Sequence, residues 1–283
     1  MSSLRELAAR GRDLLRGLPR TDPALESRLL LQKAASLDEI RFWMRPESPV
    51  APEVRRAFLA LVRRRRAGVP LAYLTGEREF WSLAFAVALG VLIPRPETEL
   101  LVEKALDFAP RGPSLIVEIG TGSGAVAVAL AKELPRAKIV ASDVSRRALA
   151  VARRNAARHG AAVTFAPSDL FRGLAGLVPT KGADLVVSNP PYVAEAEWPG
   201  LDPEVRREPR KALVAGPTGL EFMSRLIAEA ALRLKPGGRL LFEVGRGQAR
   251  RALALFGSGW DDKQAFQDLR GIRRVVAARR IGG

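Results

Sequence analysis

The strongest constraint in this 283-residue chain is a repeated switch of apolar period after residue 97. "SLIVEIG", "AKIVASDV", "AAVTFAPSD" and "GADLVVSN" are apolar runs of strand length. "GAVAVALAKEL", "SRRALAVARRNAARHG" and "GLEFMSRLIAEAALRLKPGG" are of helix length, and the last two close at glycine. "RLLFEVG" and "IRRVVAARR" supply further strands. Strands alternating with helices require crossover connections, so the sheet is expected to be mostly parallel and covered on both faces. In such α/β sheets a ligand sits at the carboxyl ends of the strands, near the point where strand order reverses.

The first part of the chain has a different rhythm. Residues 1–72 show helical patterning only. Ser3 and Glu6 have capping-box spacing, and Leu4, Leu7, Leu14 and Leu15 follow one helical stripe. Thr21-Asp22-Pro23 starts a second helix with Leu25, Leu29 and Leu30 on its apolar side. "SLDEIRFWM" is a short third helix, and a fourth runs from Pro52 to a stop at Gly68. Leu83, Phe85, Val87 and Leu89 then alternate at spacing two, which is strand patterning. The expected organisation is a helical bundle over 1–72, a β-hairpin linker over 73–93 and an α/β catalytic domain over 94–283.

Composition excludes several classes. There are no cysteines and one histidine, so neither a disulfide framework nor a multi-histidine zinc site can form, and no metal site is expected. No apolar stretch reaches the roughly 18 residues that span a bilayer, and the N-terminus lacks the apolar centre of a signal peptide. A soluble, cytoplasmic protein without membrane contact is expected. The net charge of +16 fits two readings: arginines spread over solvated helix faces, or a basic surface for a nucleic acid. "RRRR" at Arg63–Arg66 ends a helical pattern, where cations suit the helix dipole. His159, before the glycine that ends a helix, has the same dipole role rather than a catalytic one, and Trp43 and Trp81 are assigned to packing.

The loop "VEIGTGSGAVA" joins the first strand of the α/β region to its helix. Gly120, Gly122 and Gly124, with Thr121 and Ser123 between them, allow a ligand close to the backbone, and the helix start adds free N–H groups. Asp143, about 20 residues on, ends the second strand, where a carboxylate can accept both hydroxyls of a ribose. These features describe a nucleoside site and leave S-adenosylmethionine, a dinucleotide or a tight structural turn open. Glu118 and the alternate-glycine form "GxGxG" favour the methyl donor; Glu118 is placed to bind its ammonium group or to serve as a satisfied acid at a strand end.

The stretch "SNPPY" follows another strand of the same sheet. A planar amide or ring NH₂ is a poor nucleophile because its lone pair is delocalised. Two acceptors, one for each N–H, can hold such a nitrogen and aim the lone pair. The Asn189 side-chain oxygen is one, and the Pro190 carbonyl, stiffened by the fixed φ of Pro190 and Pro191, is the other. Tyr192 offers a flat wall for a planar target. Asn189, Pro190 and Tyr192 are therefore the candidate catalytic residues, and Asn189, Pro190, Pro191 and Tyr192 the candidate substrate contacts.

"NPPY" after "GxGxG" resembles class I methyltransferases that modify planar nitrogen, including adenine, cytosine and glutamine methyltransferases. "PLAYLTGEREFWSLAFAVALGVLIPRPETELLVE" (70–103), "EPRKALVAGPTGLEFMSRLIAEAALRLKPGGRLLFEVGRGQ" (208–248) and "DLRGIRRVV" (268–276) are similar to the bacterial release-factor glutamine methyltransferases. The resemblance covers the chain closely from about residue 70 to its end. It implies a Rossmann-like sheet, mostly parallel with one antiparallel strand, behind a small helical domain that binds the substrate factor. It also implies methyl transfer from S-adenosylmethionine to the glutamine of the Gly-Gly-Gln motif in class 1 peptide chain release factors. Methylation of adenine or cytosine in DNA or RNA is the alternative. Gly120, Thr121, Gly122, Ser123 and Gly124 would border the cofactor's methionine end, with Asn189 beside them, and Asp143 would hold the ribose. Asp169 and Leu170 fall where the family contacts adenine; many members carry an aromatic at the second position, and Phe171 is expected to substitute for it. "AGPTG" (215–219) also departs from the family, which commonly has an acid before the glycine. Arg95, Glu97 and Thr98 in "PRPETE" have two readings, a rim over the cofactor cleft or a buried cap and ion pair.

Overall fold

A computed structural model describes residues 2–19 and 21–282. The chain divides into two compact units, Met1–Glu77 with Asp202–Arg207, and Arg78–Leu201 with Glu208–Gly283. These bounds differ from the three expected segments. Glu77 groups with the helices and the rest of the hairpin with the second unit, and a short later segment, Asp202–Arg207, belongs to the helical unit.

The helical unit contains α1 (Leu4–Leu15), α2 (Pro23–Ala35), α3 (Glu39–Met44), α4 (Pro52–Arg66) and α5 (Leu71–Thr75). The Ser3 Oγ accepts from the Glu6 N–H at 3.2 Å, and Glu6 Oε2 accepts from the Ser3 N–H at 3.1 Å, closing the capping box. Leu4, Leu7 and Leu15 pack with Leu30, Leu31, Phe58 and Val62. The phase of α2 differs from expectation: Leu25 is 40% exposed, whereas Leu31 is fully buried. Leu29-Leu30-Leu31 spans more than one stripe, so a leucine count cannot set the helix rotation. The "RRRR" run also hides a distinction. Arg65 alone of the four turns inward, donating to both Glu26 carboxylate oxygens at 2.7 and 3.1 Å and pairing with Glu204 at 2.6 Å. Trp43 is not packed inside as expected; it is 58% exposed, edge-on to Phe42 and under the Arg28 guanidinium.

From Arg78 on, the second unit opens with a two-stranded hairpin, β1 (Glu77–Phe80), whose first residue belongs to the helical unit, and β2 (Leu83–Ala86). Then follow α6 (Glu99–Phe108), β3 (Ser114–Ile119), α7 (Ala125–Glu133), β4 (Ala137–Asp143), α8 (Arg146–His159), β5 (Val163–Pro167) and β6 (Ala183–Ser188). Two short paired strands, β7 (Val193–Ala194) and β8 (Val214–Gly216), precede α9 (Glu221–Arg233), β9 (Leu234–Glu243), α10 (Ala249–Ala254), β10 (Trp260–Gln267) and β11 (Arg273–Arg280). The main sheet has seven strands in the order β10-β11-β9-β6-β3-β4-β5, and only β11 runs antiparallel to its neighbours. Successive strand residues point to opposite faces, so each strand feeds two cores. Val117, Val140, Val186 and Leu240 pack with Met223 and Leu226 of α9. Ile116, Ile139, Leu185 and Leu241 pack with Leu101 and Val102 of α6 and with α7. β10 escapes a reading by hydrophobic pattern because "WDDKQAFQ" is an edge strand, buried mainly at Trp260.

The register places the site. Ile119 of β3 pairs with both Ser142 of β4 and Ser188 of β6, and Ser188 pairs with Phe242 of β9. The next residues, Asp143, Gly120, Asn189 and Glu243, therefore stand side by side at the carboxyl ends of four adjacent parallel strands. The order reverses between β3 and β6, so this row straddles the switch point.

Candidate active site

The glycine loop is built by hydrogen bonds back onto the strand ends. The Gly120 and Thr121 N–H groups both donate to the Ser142 carbonyl at 2.8 Å. The Thr121 hydroxyl donates to Glu118 Oε2 at 2.5 Å, and the Ala127 N–H donates to the same oxygen at 3.1 Å. One oxygen of Glu118 thus ties the loop to the first turn of α7, the satisfied-acid role among its two readings. Burial pushes its pKa up to about 7 despite these donors. Asp143 accepts from the Gly122 N–H at 2.9 Å and from the Ser145 N–H at 2.8 Å, and burial raises its pKa as well. Gly124 has φ +84°, and a Cβ there would lie 3.0 Å from the Ala152 Cβ, so α8 can approach only a glycine. The Asn155 side chain of α8 donates to the Ser123 carbonyl at 2.8 Å and bonds both backbone groups of Ala86 in β2. His159 reaches the same strand, 2.9 Å from the Ala84 carbonyl, and Trp81 at the hairpin turn donates to Glu133.

A nucleoside cofactor fits this cradle. A Cβ on Gly122 would meet no atom within 4 Å, and one on Gly120 would meet only the Asn189 carbonyl oxygen at 3.9 Å. The space at the loop is therefore open beside Asn189, and the Asp143 carboxylate at the loop's edge, bonded by the Gly122, Val144 and Ser145 N–H groups, keeps acceptor capacity for a further donor.

The segment after β5 is arranged differently from expectation. Asp169 is held by the Arg225 guanidinium, with both carboxylate oxygens within 2.9 Å of Nη2. Leu170 and Phe171 are each 1% exposed and fill the core beside α9. Phe171 therefore does not offer an aromatic face to the cleft, because its ring is already used as core volume. Leu170 has φ +51°, a left-handed conformation costly for a leucine. The Ser168 hydroxyl stabilises this turn by donating to the Leu170 carbonyl at 2.7 Å.

At the end of β6, Asn189, Pro190 and Tyr192 line a pocket with Leu92, Arg95, Ala212 and Leu213. Pro191 lies half-buried between Pro190 and Tyr192. Asn189 donates through Nδ2 to Thr98 Oγ1 at 2.9 Å, and the Thr98 hydroxyl donates to Glu243 Oε2 at 2.6 Å. Glu243 also hydrogen-bonds Tyr192, whose pKa is raised by burial and then by the nearby Glu243 charge. Burial pushes Glu243 itself up to about 7, against the Thr98 and Tyr192 hydrogen bonds and the Arg274 charge. The Tyr192 main chain is clamped too. Its carbonyl accepts from Gln248 Nε2 at 2.7 Å, and its N–H donates to the Leu213 carbonyl. A Cβ on Gly219 would lie 2.5 Å from that Tyr192 carbonyl oxygen, which explains the glycine that closes "AGPTG". Of the two readings of "PRPETE", the ion pair is present and the side-chain cap is not: Arg95 pairs with buried Glu208, which also accepts from the Ile93 N–H at 2.9 Å, and Thr98 makes no cap bond to the start of α6; Arg95 also lines the pocket beside Asn189.

Three residues escaped the sequence reading: Glu243, Glu208 and Gln248. Glu243 had a signal, an acid ending the apolar run of "RLLFEVG" level with Asn189. Glu208 and Gln248 had none, since their partners lie 115 and 56 residues away.

Residues 6–76 match a family model described as PrmC N-terminal domain, and residues 96–202 one described as Methyltransferase small domain. The chain is 44% identical over 257 residues to a release factor glutamine methyltransferase of Geobacter sulfurreducens, covering 90% of this chain and 89% of that one. It is 42% identical to the protein of that name from Nitratidesulfovibrio vulgaris, over 99% of this chain and 96% of that one. Among solved structures, a methyltransferase from Pyrococcus furiosus shares the fold at a TM-score of 0.50 and 21% identity, over 79% of this chain and 98% of that one.

Proposed function

From the premise that the chain belongs to the release factor glutamine methyltransferase family, we propose that it methylates the glutamine of the Gly-Gly-Gln motif in class 1 release factors. S-adenosylmethionine, held at the glycine loop, would supply the electrophilic methyl group, the sulfur–methyl bond breaking as the nitrogen–methyl bond forms and S-adenosylhomocysteine leaving. Gly120, Thr121, Gly122, Ser123 and Gly124 border it, Asp143 holds its ribose hydroxyls, and Asp169 and the Leu170 main chain flank its base. Asn189 Oδ1 and the Pro190 carbonyl each accept one N–H of the substrate amide, fixing the nitrogen with its lone pair aimed at the methyl carbon. Tyr192 packs against the amide plane. Positioning supplies most of the rate, and the surplus proton leaves once the nitrogen has become cationic. The helical unit grips the factor away from its glutamine, in the cytoplasm where the factor works.

The observation that carries this reading is the row Asp143, Gly120, Asn189 at adjacent strand ends, with the Asn189 amide nitrogen already engaged by Thr98. Its oxygen is left for a donor. The test is labelled methyl transfer to a release factor, with the modified residue mapped. Label should appear on the Gly-Gly-Gln glutamine and vanish when that glutamine becomes alanine. Transfer to DNA or ribosomal RNA in parallel reactions, with none to the factor, would overturn the reading.

A further inference from the structure

We propose that Thr98 and Glu243 form a polarity relay that sets which end of the Asn189 side-chain amide faces the substrate. The inference rests on the reading above, in which Asn189 Oδ1 grips the substrate NH₂.

A hydroxyl has one hydrogen to give. In Thr98 it is given to Glu243 Oε2, at 2.6 Å, the short distance of a bond to a charged acceptor. Toward Asn189, Thr98 Oγ1 can then only accept. Asn189 must therefore turn its NH₂ to Thr98, where the separation is 2.9 Å, and its Oδ1 away from it. Without the relay the two ends of the amide are nearly isosteric. A flipped Asn189 would present donors to the donors of a substrate amide, and the lone pair would not be aimed. Both relay residues are enclosed, Thr98 at 4% and Glu243 at 1% exposure, so water does not substitute for either partner. The same carboxylate bonds the Tyr192 hydroxyl. One buried acid thus orients two groups that touch the substrate while touching none of it, which makes Thr98 and Glu243 positioning residues.

The fold supplies the parts economically. Glu243 is the last residue of β9, level with Asn189 beyond β6. Thr98 comes from a short 3-10 turn, Pro96–Thr98, entering α6. This gives "PRPETE" a task beyond its ion pair. The charged groups acting on Glu243 besides its two hydroxyl partners are Arg274 at the start of β11 and Glu97 beside Thr98.

The test uses the full chain and a release factor. Thr98→Val keeps the shape and loses the acceptor. Its kcat should fall on the order of tenfold to a hundredfold, with cofactor affinity and the KM for the factor within about twofold. Thr98→Ser should restore most of the loss. In an Asn189→Ala background, Thr98→Val should add no further loss, because it acts only through Asn189. A purely structural Thr98 would instead give losses that add in full, which overturns the relay. If Thr98→Val does not fold, wild-type protein carries the test. Protonated Glu243 can donate to Thr98 and free the Thr98 hydrogen toward Asn189, so kcat should climb severalfold between about pH 6 and about pH 8. A flat profile there overturns the relay. Absence of transfer by wild type overturns the parent reading and the relay with it. Transfer by wild type with an equal kcat in Thr98→Val overturns the relay alone.

Discussion

Glu26 of the helical unit and the two strand-end acids of the α/β unit are buried in opposite ways. In the helical unit, Glu26 is enclosed against Arg65, which binds both its oxygens and also pairs with Glu204. In the α/β unit, Glu118 and Glu243 are enclosed against hydroxyl and backbone donors, Thr121 and Ala127 for one, Thr98 and Tyr192 for the other. A guanidinium cancels the charge and leaves a fixed structural joint. Hydroxyls do not cancel it, so burial wins and both strand-end acids rise to about 7. What such an acid gains is direction: a hydroxyl bonded to it has its own polarity decided. The first arrangement suits a joint, and the second suits a site where hydrogen-bond direction matters.

The largest effect should come from breaking the joint. Arg65→Met leaves Glu26 buried without its cation, and such a break typically costs about 3–5 kcal/mol. Urea unfolding should show a loss of that size for the helical unit. Adding Glu26→Leu should recover most of it, because an apolar pair of similar volume removes the stranded charge. A single variant within about 0.5 kcal/mol of wild type would show that the ion pair is idle.

The next effect separates the two kinds of acid by pH. An acid whose folded pKa exceeds its unfolded value keeps its proton longer in the native state. Between the ordinary 4.5 and about 7, the folded protein therefore binds more protons than the unfolded chain, and stability falls as pH rises. At 1.36 kcal/mol per pKa unit each acid contributes a decline of about 3 kcal/mol, complete above its folded value. Unfolding free energies measured from about pH 5 to about pH 8 should decline in wild type and decline by about 3 kcal/mol less in Glu243→Gln. The same decline in both proteins would place the titration elsewhere.

Which parts were readable follows from how far apart the interacting residues lie. The order of strands and helices was legible because period two and period 3.6 are local properties, and the glycine loop, Asp143 and "NPPY" were legible because their chemistry is carried within a few residues. β10 was not, since an edge strand needs little apolar patterning. Nor was the rotation of α2, where three consecutive leucines fit several phases. The Arg65 joint and the Thr98–Glu243 contact were hidden for another reason: they connect residues 39 and 145 positions apart, and nothing local marks which arginine of four, or which acid among many, has a buried partner. Phe171 shows the converse error. An aromatic next to a binding position looks available until the core claims its ring.

The smallest expected effect tests whether the two hydroxyls on Glu243 are equivalent. Tyr192→Phe keeps the aromatic wall and removes one donor to the carboxylate. The Tyr192 hydroxyl bears on Asn189 only through Glu243, so kcat should fall only about threefold to tenfold, well short of the loss expected in Thr98→Val. The direction of the pH response is the sharper readout. The Tyr192 hydrogen bond favours the charged form of Glu243, so its loss should move the titration of Glu243 upward from about 7. The alkaline rise of kcat should then shift to higher pH in Tyr192→Phe. A shift to lower pH would mean that the tyrosine had been opposing ionisation, and that Glu243 is set by Arg274 rather than by its hydroxyl partners. The strand-end acid would then resemble the Glu26 joint after all.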